Sequence, residues 1–311
     1  MNIVNITELN SLDSSTIVTV GMFDGVHIGH RHLIARLLDS AKRRVLRPVV
    51  ITFDRHPREV LGGNAVPMLT TVDERVRMIR ECGVKDVVVV DFSRELALLS
   101  ACEFVEKHLL PRLNMKCLLL GYDNMFGRRT NSDFSQLPSL ASRLGFEIIT
   151  DTAVVSDGTE VSSSTIRKAL ADGNIELANK LLGYHYSIEG EVVHGRMVGR
   201  TMGFPTANVS VDMQKPLPHE GVYALRVTTD GTTHLAMANI GPRPTFELTT
   251  PVVEVHIIGF EGDLYGCTLT MELLGKLRKT QRFASQKDLE TALRHDLQTT
   301  IERYTDVKLA P

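Results

Sequence analysis

Thr16-Ile17-Val18-Thr19-Val20 runs without a break into Gly21-Met22-Phe23-Asp24-Gly25-Val26-His27-Ile28-Gly29-His30. The first five residues are apolar or β-branched, the pattern of a buried strand. From His30 to Arg44 the residues Leu33, Ile34, Leu37 and Leu38 recur at helical spacing. The glycine-rich stretch between is therefore a strand-to-helix turn. Outward from it, the first half of the chain repeats the alternation. Pro48–Phe53, Val87–Asp91, Lys116–Leu120 and Glu147–Thr150 read as extended. Val72–Cys82, with Val76 and Ile79 on one face, Ala101–Leu110 and Leu137–Leu144 read as helices. Strands separated by helices imply βαβ units and a parallel sheet.

After a helical stretch at Ser164–Leu182 the pattern changes. Tyr186–Val193, Val222–Thr228, Thr233–Ala238, Val252–Ile258 and Thr268–Leu274 are short alternating segments. Turns such as Asp230-Gly231 and Gly262-Asp263 punctuate them, which predicts an antiparallel sandwich or barrel. A helix from about Gln286 to Tyr304 closes the chain. We place the boundary near Tyr184–Ser187, giving domains 1–184 and 185–311. A length of 311 residues suits two domains.

A net charge of −2 argues against a nucleic-acid or membrane partner. No apolar run approaches a membrane span, and the first residues lack a basic segment followed by an apolar one. The expected location is the cytoplasm. Cys82, Cys102, Cys117 and Cys267 show no C-x-x-C spacing, so they read as reduced core residues rather than a metal or disulfide framework.

The strand-to-helix turn suits a phosphate. Glycine lets backbone pass close to a ligand, and a helix start offers free N–H groups at the positive end of its dipole. Ligands of α/β sheets sit at the carboxyl ends of strands. His27 and His30 there can donate hydrogen bonds to a triphosphate and stabilise charge at its α-phosphorus. Two surface histidines at a helix start are the plainer reading, and the strand and Asp-Gly turn before them weigh against it. Thr52–Pro57 and Gly121–Arg129 end neighbouring strands. Arg128 and Arg129 either meet phosphates or are solvated. Ser162–Arg167 opens a helix, where hydroxyls cap and, with Arg167, can also hold phosphate.

In the second half, His194–Asn208 (HGRMVGRTMGFPTAN) resembles a P-loop only at a glance. Gly195 to Gly199 is one residue short, and Arg200 stands in place of the lysine. A Gly/Arg-rich loop in a β domain can still fold over phosphates. Thr206 and Asn208 lie two apart, so on a strand they share a face and offer neutral oxygens of the kind Mg²⁺ accepts beside phosphates. Asn239–Phe246 reads as a rigid Gly/Pro loop. Glu254, in an apolar strand, is either on the solvent face or a functional base.

These motifs together resemble the family of bacterial bifunctional riboflavin kinase/FMN adenylyltransferases, also called FAD synthetases. The likeness covers nearly the whole chain in order, through GMFDGVHIGHRHL, TFDRHP, GYDNMFG, VSSSTIRKAL, GRTMGFPTAN, NIGPRPTF, VEVHII and DLYG. The H-x-G-H element is shared with many nucleotidylyltransferases, whereas the second-half string is far more specific. The resemblance implies an α/β Rossmann-like nucleotidyltransferase domain, then an antiparallel six-stranded β-barrel domain with a C-terminal helix. It implies two reactions. Riboflavin takes the γ-phosphate of ATP to give FMN, and FMN takes AMP from a second ATP to give FAD and pyrophosphate.

By position, the resemblance implies catalytic roles for His27, His30 and Glu254, the last as base for the ribityl 5′-hydroxyl. It implies ATP contacts for Phe23, Asp24, Gly25, Gly29, Ser163, Ser164 and Arg167, with Gly195, Gly199 and Arg200 at the kinase nucleotide. It implies flavin contacts at Asp123 and Asn124, and Mg²⁺ on Thr206 and Asn208. Small molecules are the only partners it implies. Asn124-Met125, Arg55, Ser164 and Met22 depart from the family pattern, all in the adenylyltransferase half. Two other readings stay open from sequence: a working kinase joined to a weakened adenylyltransferase, and a flavin-binding regulator without turnover.

Overall fold

The computed structural model describes residues 3–4, 11–122, 131–194, 203–212, 214–241 and 252–305. The chain divides into two compact units, Met1–Ser163 and Ser164–Pro311. That division falls ahead of the 184/185 boundary read from sequence.

The first unit runs β1 (Ile3–Val4), β2 (Thr16–Val20), α1 (Ile28–Arg44), β3 (Arg47–Phe53), α2 (Pro57–Val60), α3 (Val72–Glu81) and β4 (Asp86–Val90). It continues through α4 (Arg94–Leu98), α5 (Ala101–Phe104), a π-helical turn (Val105–Leu109), α6 (Leu110–Leu113) and β5 (Met115–Leu120). Next come α7 (Asn131–Leu144), β6 (Glu147–Thr150) and a small hairpin, β7 (Val155–Ser156) with β8 (Thr159–Glu160). Strands β1-β4-β3-β2-β5-β6 form one sheet, and every pair in it is parallel.

Side chains alternate across the strands, and the core follows them. Ile17, Val50, Cys117 and Leu119 pack on one face with Leu33, Ile34, Leu37 and Ala41 of α1 and Ile79 of α3. Val18, Val20, Ile51 and Leu118 pack on the other with Phe104, Leu109 and Leu137. Helices therefore cover both faces, which is why these strands read as continuous apolar runs. The chain moves outward from β2 through β3 to β4, then crosses back to β5 on the other side of β2. That reversal makes the carboxyl end of β2, where the glycine-rich turn begins, a topological switch point of the kind that takes ligands in α/β sheets.

The second unit opens with α8 (Ser163–Ala171), whose first residue belongs to the first unit, and α9 (Ile175–Leu182). Then follow β9 (Ser187–Val193), β10 (Ala207–Val211), β11 (Gly221–Thr229), β12 (Thr232–Gly241), β13 (Val252–Ile257), β14 (Thr268–Arg278) and α10 (Gln286–Tyr304). The six strands close into an antiparallel barrel, ordered β10-β13-β12-β11-β14-β9. Closure removes exposed edges. Asn239–Gly241 belong to β12, not to the loop expected there. Helix α10 is held by Asp296, whose carboxylate accepts Arg278 Nε at 2.9 and 3.1 Å. Gly275 in β14 lets it approach, because a Cβ there would strike the Tyr304 hydroxyl. All four cysteines are free, and only Cys117 is fully buried. Burial pushes its thiol up to about 11.

Candidate functional sites

In the first unit the turn after β2 is tightly specified. Phe23, Gly25 and Val26 all take positive φ, at 50°, 78° and 34°. Such a conformation is unusual for a β-branched residue and clusters at functional sites. Thr70 locks it. Its N–H and hydroxyl donate to Asp24 Oδ1 at 3.1 and 3.3 Å, and its Oγ accepts the Gly25 N–H at 3.1 Å. The Ser163 hydroxyl donates to Asp24 O at 2.9 Å within the same unit. Phe23, Asp24 and His27 are buried.

His27 is the N-cap of α1, its Nδ1 accepting the His30 N–H at 3.3 Å. The two imidazoles stack at 3.6 Å between centroids, and Phe23 packs on His30 at 5.1 Å. Gly29 makes room for this, since a Cβ there would lie 3.2 Å from the His27 ring. The His30 imidazole is held well below the usual histidine pKa. Desolvation is the main cause, followed by the charges of His27 and Arg75. Near neutral pH His30 is therefore an uncharged imidazole.

The structure thus brings Phe23, Asp24, Gly25, His27, Gly29, His30 and Ser163 together. Ser164 and Arg167 lie in the first turns of α8, in the second unit. Asp123 and Asn124 lie outside the described residues, as does Met125. Two other departures from the family pattern are benign in place. Met22 enters through its carbonyl, which accepts the Thr52 hydroxyl at 2.8 Å and which any residue supplies. Arg55 is exposed and donates to Asp54 and Asp91 at 2.9 and 3.1 Å.

In the second unit β13 alternates. Val253, Val255 and Ile257 are buried, and Glu254 is exposed on the outer face. Glu254 stands directly opposite Asn208 of β10 and Asn239 of β12. Directly paired side chains share a face about 5 Å apart at Cβ. The three form a row across three strands: amide, carboxylate, amide. Asn208, buried, also lines a cavity of about 600 Å³ with Thr206, Ala207, Val193, Val255 and the segment Phe260–Tyr265. His256 Nδ1 and Pro205 O are 2.8 Å apart, fixing the residue before Thr206. Gly195, Gly199 and Arg200 lie outside the described residues.

Thr206 and Asn208 therefore present neutral oxygen-bearing groups at one cavity. Among the described residues, no group of three or more His, Cys, Asp or Glu side chains is placed to hold a metal. The donors present suit a hard cation that draws its other ligands from phosphate and water.

Sequence reasoning missed Thr70, Arg75 and Asn239. Thr70 sits beside the helix cap Thr71, so its polarity looked local. Arg75 falls on the face shared with Val76 and Ile79 and is fully buried. The i, i+1, i+4 spacing could have flagged it. Asn239 was assigned to a loop.

Residues 9–165 match the family described as FAD synthetase, and residues 182–304 the family described as riboflavin kinase. The chain is 40% identical over 290 residues to a bifunctional riboflavin kinase/FMN adenylyltransferase of Escherichia coli K12, covering 93% of this chain and 92% of that one. It is 31% identical to the protein of that description in Bacillus subtilis, covering 99% and 100%. A solved structure from Streptococcus pneumoniae, described as a macrolide-efflux protein, superposes with a TM-score of 0.85. That pair is 32% identical, with 95% of this chain and 96% of that one covered. Among the described residues of this chain, no helix is long and apolar enough to cross a membrane.

Proposed function

The chain belongs to the family of bifunctional riboflavin kinase/FMN adenylyltransferases, and on that premise we propose that it performs two successive ATP-dependent transfers in the cytoplasm. Riboflavin is phosphorylated to FMN, and FMN is adenylylated to FAD with release of pyrophosphate. The observation that carries this reading is one cluster of polar side chains in each unit. These are the stacked histidine pair on a locked turn, and the Asn208–Glu254–Asn239 row bordering a cavity. A flavin-binding regulator would need neither.

We assign adenylyl transfer to domain 1–184 and phosphorylation to domain 185–311, a division supported by family matches that end at 165 and resume at 182. In the first domain the FMN phosphate is already an anionic nucleophile. It needs alignment and charge stabilisation rather than a base. Phe23, Asp24, Gly25, Gly29 and Ser163 shape the ATP site, and the family resemblance assigns Ser164 and Arg167 to ATP as well. His27 and His30 hydrogen-bond the α-phosphate as charge builds there. Asp123 and Asn124 contact the flavin.

In the second domain the ribityl 5′-hydroxyl must lose its proton as it attacks the γ-phosphorus. Glu254 accepts that proton. Gly195, Gly199 and Arg200 cover the nucleotide. Thr206 and Asn208 would hold Mg²⁺, which would supply charge neutralisation at the phosphate oxygens.

The test separates the halves. His30→Ala should stop FAD formation from FMN and ATP while leaving FMN formation from riboflavin intact, and Glu254→Ala should do the reverse. Loss of both activities in either variant, with the fold intact, would overturn the assignment.

A further inference from the structure

One buried cation of the first unit has no role in the account above. Arg75 lies on the inward face of α3 and is 0% exposed. Arginine is almost never fully buried unless paired. Its Nη2 donates to Phe53 O at 2.5 Å, at the carboxyl end of β3. Its Nε and Nη1 have no hydrogen-bond partner among the described residues. Its charge is felt by Asp24 after β2, by Asp54 after β3, and by His30 in the first turn of α1. Core filling alone would be served by an apolar residue, without the desolvation cost of a buried guanidinium.

We propose that Arg75 is a positioning residue for adenylyl transfer. It anchors the end of β3 through Phe53 and sets a fixed buried charge facing Asp24, Asp54 and His30. The histidine pair is thereby held in one geometry and one charge state when it meets the triphosphate. The charges acting on His30 are those of His27 and Arg75, with the Phe23 ring packed on it; those acting on Arg75 are Asp24 and Asp54. Both Asp24 and Asp54 are already engaged, Asp24 by Thr70 and Asp54 Oδ1 by the Phe92 N–H at 2.8 Å. Arg75 therefore acts on them through its field rather than through a contact ion pair.

The inference rests on adenylyl transfer occurring in this unit. Its test uses the full chain with R75Q and R75K. Glutamine keeps a donor for Phe53 O and removes the charge; lysine keeps the charge and removes the planar fork. FAD formation from FMN and ATP is followed against pH, with FMN formation from riboflavin on the same preparations as a control of integrity. For R75Q the expected result is a loss of kcat of about tenfold, the scale of a few tenths of an ångström in the placement of the reacting groups. The KM for ATP should change little, the acid limb should move to higher pH, and FMN formation should be unchanged. R75K should retain the wild-type acid limb. An R75Q acid limb coincident with wild type would overturn the proposal, as would an R75K limb displaced like that of R75Q. Should R75Q not fold, R75M, which removes the charge and keeps an apolar stem, takes its place: an acid limb moved to higher pH supports the proposal, and one coincident with wild type overturns it. A wild-type chain that makes no FAD ends the adenylyltransferase reading itself. Wild-type FAD synthesis with an indifferent R75Q ends only this inference.

Discussion

Replacing Gly29 by alanine tests whether the placement of the His27 ring matters. Gly29 is the second residue of α1, and the new Cβ would lie 3.2 Å from both Cε1 and Nδ1 of that ring. Comfortable heavy-atom contacts are about 3.5–4.0 Å, so the ring must retreat by a few tenths of an ångström. It has little freedom to do so. Nδ1 accepts the His30 N–H at 3.3 Å, already long, and the ring face lies 3.6 Å from His30. Alanine favours a helix by up to about 1 kcal/mol over glycine. Weakening the N-cap costs about 0.5–2 kcal/mol. The two nearly offset, and thermal unfolding should show a change within about 1 kcal/mol. Catalysis has no such compensation. A misplacement near 1 Å costs about 10²-fold, so a few tenths should cost about tenfold in FAD formation from FMN and ATP. FMN formation from riboflavin should not change. A G29A protein of near-native stability that makes FAD within about twofold of wild type would refute the reasoning.

Glu254→Gln keeps the shape of the Asn208–Glu254–Asn239 row and removes the proton acceptor; FMN formation should fall by about 10²–10⁴-fold with FAD formation from FMN intact, as flavin chromatography would read. Asp296→Ala leaves Arg278 without its buried partner and should cost about 3 kcal/mol in urea unfolding of the second unit; a cost under about 0.5 kcal/mol would show that α10 is held by apolar contact alone. His30 has a folded pKa lowered below its unfolded value, so the unfolded chain binds more protons between the two. Its contribution is complete above about pH 6.5 and is lost as pH falls below that. Unfolding of wild type and His30→Gln across that window should converge towards acid, and parallel curves would contradict the shift.

The sheet was legible because its strands are buried on both faces. Thr16–Val20, Pro48–Phe53 and Lys116–Leu120 carry no alternation to confuse with a helix, and glycine marks where β2 ends. The barrel was legible as short alternating segments, but their pairing was not. That Asn208 faces Glu254, and Glu254 faces Asn239, depends on register across β10, β13 and β12. Neighbours distant in sequence fix that register. The alternation of β13 placed Glu254 on the outer face, where the structure has it, while its role as a base rests on the resemblance. Thr70 and Arg75 were invisible for a related reason. A threonine before a helix cap and an arginine on an amphipathic helix are ordinary by pattern, and only the fold carries them to Asp24 and Phe53. His27 was read as a phosphate donor from its place in the turn; that it caps its own helix needs coordinates to see.

One chain carries both transfers. The most direct measurement is a time course with purified protein, riboflavin, ATP and Mg²⁺, its flavins separated by chromatography. The account predicts FMN rising first and FAD accumulating from it. Riboflavin retained unchanged on a folded protein would contradict it, and FMN that accumulates without FAD would contradict the half built on His27 and His30.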